Sequence, residues 1–403
     1  MSNGKTFNRW WIVLGAILIQ LCLGAIYAWS VFRIPLQKIL TITPTQASLP
    51  FSFVLIFFAL ATIIGGRWQD KAGPRVVAIA GGILLGLGMI LASFAKSLAA
   101  IIVFYGIVSG IGIGFAYVCP ISSGVKWFPD KRGLITGLSV AGFGAGALIV
   151  GPLARALIDS AGVFNTFRIL GIIFLVLVFI GALILRNPPV GYKPEGWNPP
   201  VTTTTSRVDY SPGQMLSTGQ FYLIWLIYFF GCATGLMIIG QTSPIGQELA
   251  KLSGKTAAIA VSVLAIFNAL GRIFWGKVSD AFGRLRTLFL IFLICGIAVL
   301  LYNLIAVLHP YYWIGISLVG LCFGGYLAIF PAVTADFYGT KNVGVNYGFV
   351  FTAYGMGGLL GNIFAPKVLE KTKSYNLAFI VAGILCLLGA IITFMIKQPK
   401  KKM

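Results

Sequence analysis

The sequence predicts an all-α membrane protein of twelve transmembrane helices in two pseudo-symmetric six-helix bundles. Three observations carry this expectation. Hydrophobic side chains make up 58% of the 403 residues and charged ones only 10%, against roughly 25% charged in soluble domains. The apolar residues gather in twelve runs, matched to the ~20 residues a helix needs to cross a hydrocarbon core of about 30 Å. A short loop motif that follows the second run returns, 210 residues later, after the eighth. With a mean hydropathy of +0.94, this chain is not a soluble enzyme, a disordered protein or a secreted disulfide scaffold.

Taken in order, the runs span 10–32, 48–66, 76–95, 98–122, 134–157, 165–185, 219–243, 257–276, 287–307, 311–334, 345–365 and 375–396. They are continuous rather than alternating, so they read as helices and not as barrel strands. The first is too long for a signal-peptide core and lacks a small-residue cleavage site, so it is expected to be retained. With the N-terminus inside, 19 Lys and Arg fall in cytoplasmic segments and 10, Arg33 among them, in outside segments. That asymmetry places both termini in the cytoplasm of a multi-pass inner-membrane protein. It also disposes of nucleic-acid binding as the meaning of the net charge of +21, because the basic residues lie between runs instead of forming one patch. All six cysteines sit inside apolar runs, where they read as small packing residues rather than as disulfides or a metal cluster. No cofactor, no metal and no obligate protein partner is expected; the lipid bilayer is.

The longest polar stretch, 187–217, carries Pro188, Pro189, Pro194, Pro199 and Pro200, then Thr202 to Thr205. Without apolar periodicity it reads as a cytoplasmic linker. It divides the chain into an N-terminal bundle, 1–186, and a C-terminal bundle, 218–403. The halves repeat: Gly66, Asp70, Gly73 and Arg75 follow the second span, and Gly276, Asp280, Gly283 and Arg284 follow the eighth. Internal duplication is the plan of secondary transporters, with substrate held between the repeats. These residues suit a conformational-switch loop, with glycines for tight turns and an aspartate able to accept from a neighbouring helix N-terminus.

The loop Gly66-x-x-x-Asp70-Lys-x-Gly73-x-Arg75 resembles the signature of the major facilitator superfamily, and with the 6 + 6 plan the resemblance covers the whole chain. Drug/proton antiporters of that superfamily are a poorer match. They carry an Arg where this sequence has Gly106, and paired glycines where Leu153, Ala154 and Arg155 follow Gly151-Pro152. Tyr27-Ala-Trp-Ser-Val-Phe32, Asn268-Ala-Leu-Gly-Arg272 and the segment Asn346-Tyr-Gly to Thr352-Ala-Tyr354-Gly355 are similar to bacterial oxalate/formate antiporters. The arginine of the eighth span is also similar to that of monocarboxylate transporters. The resemblance implies alternating access and a small organic anion as substrate.

The residues reach the same place independently. No acidic residue falls in the middle of a run, whereas Arg272 sits well inside one. A charge there costs at least about 2.5–3.5 kcal/mol, which makes it a functional-site hypothesis. Lacking an intramembrane carboxylate, its guanidinium can grip a carboxylate from solution through two parallel hydrogen bonds. Snorkelling to the headgroups is the competing account. Asn268, one turn earlier on the same face, orients Arg272 or binds a substrate hydroxyl. Monocarboxylate transporters typically have an Asp there, so the proton carrier stays open. Tyr354 stands where dicarboxylate antiporters of this type have a Lys; one Arg without a Lys fits one carboxylate. Tyr117 and Phe351 are the next substrate-binding candidates, followed by Tyr27 and Tyr326. The expected function is a non-enzymatic secondary carrier of a small monocarboxylate of the lactate or pyruvate kind, proton-coupled by symport. The alternative is oxalate/formate-type anion exchange.

Overall fold

A computed structural model describes residues 7–128, 130, 132–189, 192–194, 209–305, 309–339 and 342–399, and these described residues form twelve long helices. The helices are α1 (Trp10–Leu40), α2 (Pro44–Ala72), α3 (Pro74–Ala92), α4 (98–127), α5 (Arg132–Ala161) and α6 (Val163–Ile184). The second half contains α7 (Gly219–Glu248), α8 (Gly254–Phe282), α9 (Arg284–Ile305), α10 (His309–Tyr338), α11 (Val343–Thr372) and α12 (Asn376–Met395). Each is long and apolar enough to cross a membrane, and no strand occurs among the described residues. Large apolar side chains such as Ile64, Ile149, Ile391 and Phe394 stand exposed on the outside of the bundle, as a lipid-facing surface requires. Of the expected linker 187–217, residues 190, 191 and 195–208 lie outside the described residues.

Local chemistry sets the helix ends. Thr43 opens α2 with a reciprocal capping box, its hydroxyl accepting from Gln46 N while the Gln46 side chain accepts from Thr43 N, and Pro44 follows at the first helical position where a missing N–H is harmless. Thr218 and Ser253 cap α7 and α8 by accepting from Phe221 N and Thr256 N. The repeated loop shows its duplication in the backbone: Gly73 and Gly283 have φ of 84° and 87°, the left-handed region that favours glycine, and each ends one helix just before the next begins. Gly66 and Gly276 have open space where a Cβ would stand, so close helix approach does not explain them.

Packing repeats between the halves as well. In the first, α3 lies on α6, α2 on α4 and α1 on α5; in the second, α9 lies on α12, α8 on α10 and α7 on α11. The halves meet mainly through α2 against α11 and α5 against α8, the same two positions of the repeat exchanged. Glycines allow close approach within these contacts. A Cβ on Gly112 would come within 2.6 Å of Gly81 O on α3, and one on Gly114 within 2.7 Å of Phe58 O on α2, as small-residue helix packing in membranes requires. The Gly110, Gly112 and Gly114 run is therefore a packing seam.

One expectation is corrected. The first span does not stop at 32 but continues as helix to Leu40. Pro35 is accommodated within it. Arg33, assigned by sequence to an outside segment, lies within this helix and is buried against other helices with 0% exposure. Helix α1 also tightens to a 3₁₀ turn at Ala25–Ala28, which contains Tyr27.

Candidate functional site

Arg272 lies on α8 facing α5 across the boundary between the halves, 3% exposed. Ten residues of α8 follow it, about 15 Å of helix at 1.5 Å per residue. A glycine on each side makes room. A Cβ on Gly144 of α5 would come within 3.2 Å of Arg272 Nε, and one on Gly324 of α10 within 2.1 Å of Asn268 O. The guanidinium is consequently clasped between helices. Its Nε donates to Asn268 Oδ1 at 3.2 Å, and its Nη1 donates to the Val140 carbonyl of α5 at 2.7 Å. Its Cζ stands 5.9 Å from the Phe143 ring centroid, within cation–π range.

Two donors remain unmet here. Arg272 Nη2 and Asn268 Nδ2 have no hydrogen-bond partner among the described residues, and they belong to side chains one helical turn apart. Leaving such donors unpaired in a buried site costs about 1–3 kcal/mol each, and both are free to donate to an oxygen atom. No described carboxylate pairs with Arg272.

From Phe143, the ring beside the guanidinium, an aromatic cluster drawn from both halves extends across the boundary. Tyr27 of α1 and Tyr354 of α11 join hydroxyl to hydroxyl at 3.1 Å. Tyr27 meets Phe143 edge-on at 5.4 Å, and Tyr354 stacks on Phe351 at 4.6 Å. Tyr117 of α4 lies 5.2 Å from Phe143 and 6.1 Å from Phe351. Pro120 lies within α4 close beyond Tyr117, and Gln20 of α1 ties the two helices together here, donating from Nε2 to the Tyr117 carbonyl at 3.2 Å. The structure thus gathers Arg272, Asn268, Tyr27, Tyr117, Phe351 and Tyr354 into one cage. Tyr326 stands elsewhere, inside the C-terminal bundle, against Phe292 at 4.7 Å and over Gly231.

Three members of the cage escaped sequence reasoning. Phe58 of α2 contacts Tyr117, Phe143, Phe351 and Tyr354. Phe143 and the Val140 carbonyl belong to α5. The signal for Phe143 was present in Gly142-Phe143-Gly144, since glycines flanking one aromatic mark a face where another helix comes close. Nothing local marks Phe58 or a backbone carbonyl.

At the face carrying the termini, the repeated loops are held by arginines. Arg75 donates to Leu185 O at 3.3 Å. Arg284 pairs with Asp280 at 2.6 Å and with Asp336 at 3.5 Å, so the partner of Asp280 is an arginine side chain. The side chain of Asp70 lies outside the described residues.

The comparisons with known proteins agree with this architecture. The family model described as Major Facilitator Superfamily matches residues 12–362 and 251–403. The chain is 30% identical over 408 residues to the oxalate:formate antiporter of Oxalobacter formigenes, covering 100% of this chain and 96% of that one. It is 24% identical to monocarboxylate transporter 12 of Xenopus laevis, covering 93% and 85%. Its fold matches a crystal structure of a bacterial homolog of the human lysosomal transporter Spinster, inward-facing and unoccupied, with a TM-score of 0.75 over 97% of each chain at 16% identity. Twelve spans in two related halves, a basic site between them and these kinships lead to one assignment: the chain is a multi-pass membrane protein belonging to the major facilitator superfamily.

Proposed function

We propose that the protein carries a small monocarboxylate across the inner membrane by alternating access, with Arg272 as the anion-binding group. The observation that carries this reading is the pair of unmet donors, Arg272 Nη2 and Asn268 Nδ2, in a buried cage where no described carboxylate pairs with Arg272. A bound carboxylate would accept from Arg272, and a hydroxyl or keto oxygen on the next carbon would accept from Asn268. The rings of Phe58, Phe143 and Phe351 would border the short carbon chain. Because Arg272 Nη1 now holds the Val140 carbonyl of the opposite half, an anion competing for the guanidinium would loosen α8 from α5. This links binding to the rocking of the halves.

We read the coupling as proton symport, with both termini cytoplasmic. Similarity to a monocarboxylate transporter supports it, and the single central arginine supports one carboxylate rather than two. Anion exchange is the second reading. It is favoured by similarity, along the whole chain, to a protein named as an oxalate:formate antiporter. Uptake of labelled lactate, pyruvate, formate and oxalate into proteoliposomes separates them. Symport requires lactate or pyruvate uptake that is driven by an acid exterior and collapses with a protonophore. Exchange requires uptake that depends on anion loaded inside and ignores the proton gradient. Absence of uptake of all four acids refutes the carboxylate assignment.

A further inference from the structure

Resting on the carboxylate reading above, we propose that Arg33 forms a second, outer carboxylate site through which the anion passes on its way to or from Arg272. Arg33 is buried in α1 near the face opposite the termini, with 0% exposure. Seven residues of helix separate it from the end of α1, about 10 Å. A buried guanidinium needs its donors met, and here only one nitrogen is occupied. Nη1 donates to Gln241 Oε1 of α7 and to the Tyr375 hydroxyl before α12. Nε and Nη2 have no partner among the described residues. Those two nitrogens share one edge of the guanidinium, and their N–H bonds run side by side. That edge takes a carboxylate through two parallel hydrogen bonds. Arg272 spends its own Nε on Asn268. The outer arginine therefore offers the complete two-pronged edge that the central one does not.

The surroundings fit an anion that comes and goes. Both nearby carboxylates are engaged by other donors: Glu248 Oε2 accepts from the Tyr375 hydroxyl at 2.8 Å, and Glu370 Oε1 accepts from Thr45 N at 2.6 Å. An arriving anion would not have to break a direct ion pair to reach Arg33. One further buried polar atom at this end is unpaired among the described residues, Gln37 Nε2 one turn along α1. A polar stripe joins the two arginine sites. Tyr27, Ser30, Arg33 and Gln37 recur at helical spacing on α1, and the Ser30 hydroxyl is buried and unpaired. Tyr27, at the inner end of the stripe, is already in the Arg272 cage.

The test uses the full chain, purified and in proteoliposomes, with labelled L-lactate and formate as probes. We expect two classes of binding in the wild type, a weaker class surviving in Arg272→Gln, and none in Arg272→Gln/Arg33→Gln. Alone, Arg33→Gln should raise the KM for uptake from the outer side about tenfold while leaving the KM from the inner side unchanged. Should Arg33→Gln fail to fold, Arg33→Lys replaces the edge with a single ammonium and should raise the same outer KM several-fold. Loss of all binding in Arg272→Gln, or equal KM changes on both sides, overturns the outer site and leaves the carboxylate function standing. Failure of the wild type to bind or move either acid overturns the function itself.

Discussion

The two buried arginines, Arg272 of α8 and Arg33 of α1, show two ways of holding a charge inside a membrane bundle. Arg272 has no described carboxylate near it. Its charge is met by one amide oxygen of its own helix, one backbone carbonyl of the other half and a ring face. Arg33 is answered at one remove by a carboxylate, through Tyr375 to Glu248. Burial pushes the Tyr375 phenol up from its ordinary range, so it stays protonated and keeps donating to Glu248 at physiological pH. The contrast is instructive. An internal charge without an internal counter-charge is balanced only when an anion arrives, whereas one relayed to a carboxylate is partly balanced within the resting protein, even with its Nε and Nη2 unmet. The central site should govern whether anything is transported. The outer cluster should govern how easily the anion enters.

The comparison breaks most readily at Arg272. Arg272→Gln should reduce carboxylate transport on the order of 100-fold or more, since truncating one partner of a buried charge pair costs ~2–5 kcal/mol. Initial uptake rates normalised to membrane protein check this, and near-normal rates would make Arg272 a packing residue. Asn268→Leu comes next. It removes a hydrogen bond to a charged group, worth about 1.5–3 kcal/mol, so the KM for lactate should rise roughly tenfold or more and the melting temperature should fall, since Arg272 Nε loses its acceptor.

Gly144→Ala tests the clasp on the guanidinium. Its new Cβ would press on Arg272 Nε from 3.2 Å, a displacement of a few tenths of an ångström. Against ~10²-fold for a 1 Å error in position, affinity should fall about tenfold or less. The smallest change is expected from Tyr375→Phe, which cuts the relay from Arg33 to Glu248 for about 1 kcal/mol. Uptake from the outer side should shift by less than about tenfold with KM from the inner side intact. A Tyr375→Phe loss as large as that of Arg272→Gln would erase the distinction between the two sites.

Much of the molecule was legible before any coordinates. Twelve spans followed from apolar run lengths because a bilayer demands a minimum helix length and internal backbone pairing. The duplication was written in the Gly66/Gly276, Asp70/Asp280 and Gly73/Gly283 spacing, and Gly73 and Gly283 share one left-handed backbone conformation. Arg272 and Asn268 stood out because a charge and an amide on one face of an apolar helix are expensive unless used. Their mutual hydrogen bond is a matter of i, i+4 spacing.

What the sequence could not supply comes from contacts between distant segments. Arg33 resembled a loop residue because span ends blur where polarity rises. Its burial depends on Gln241 and Tyr375, more than 200 residues away. Phe58 and the Val140 carbonyl carry no local mark, and Tyr326 has the same local character as Tyr354 yet packs on Phe292 inside its own bundle. By itself the sequence determined the helices, their number and the charge that cannot rest unpaired in lipid, all of which follow from local hydropathy and periodicity. Only the tertiary structure decided which donors stay unmet, because that depends on where each partner helix happens to place an acceptor.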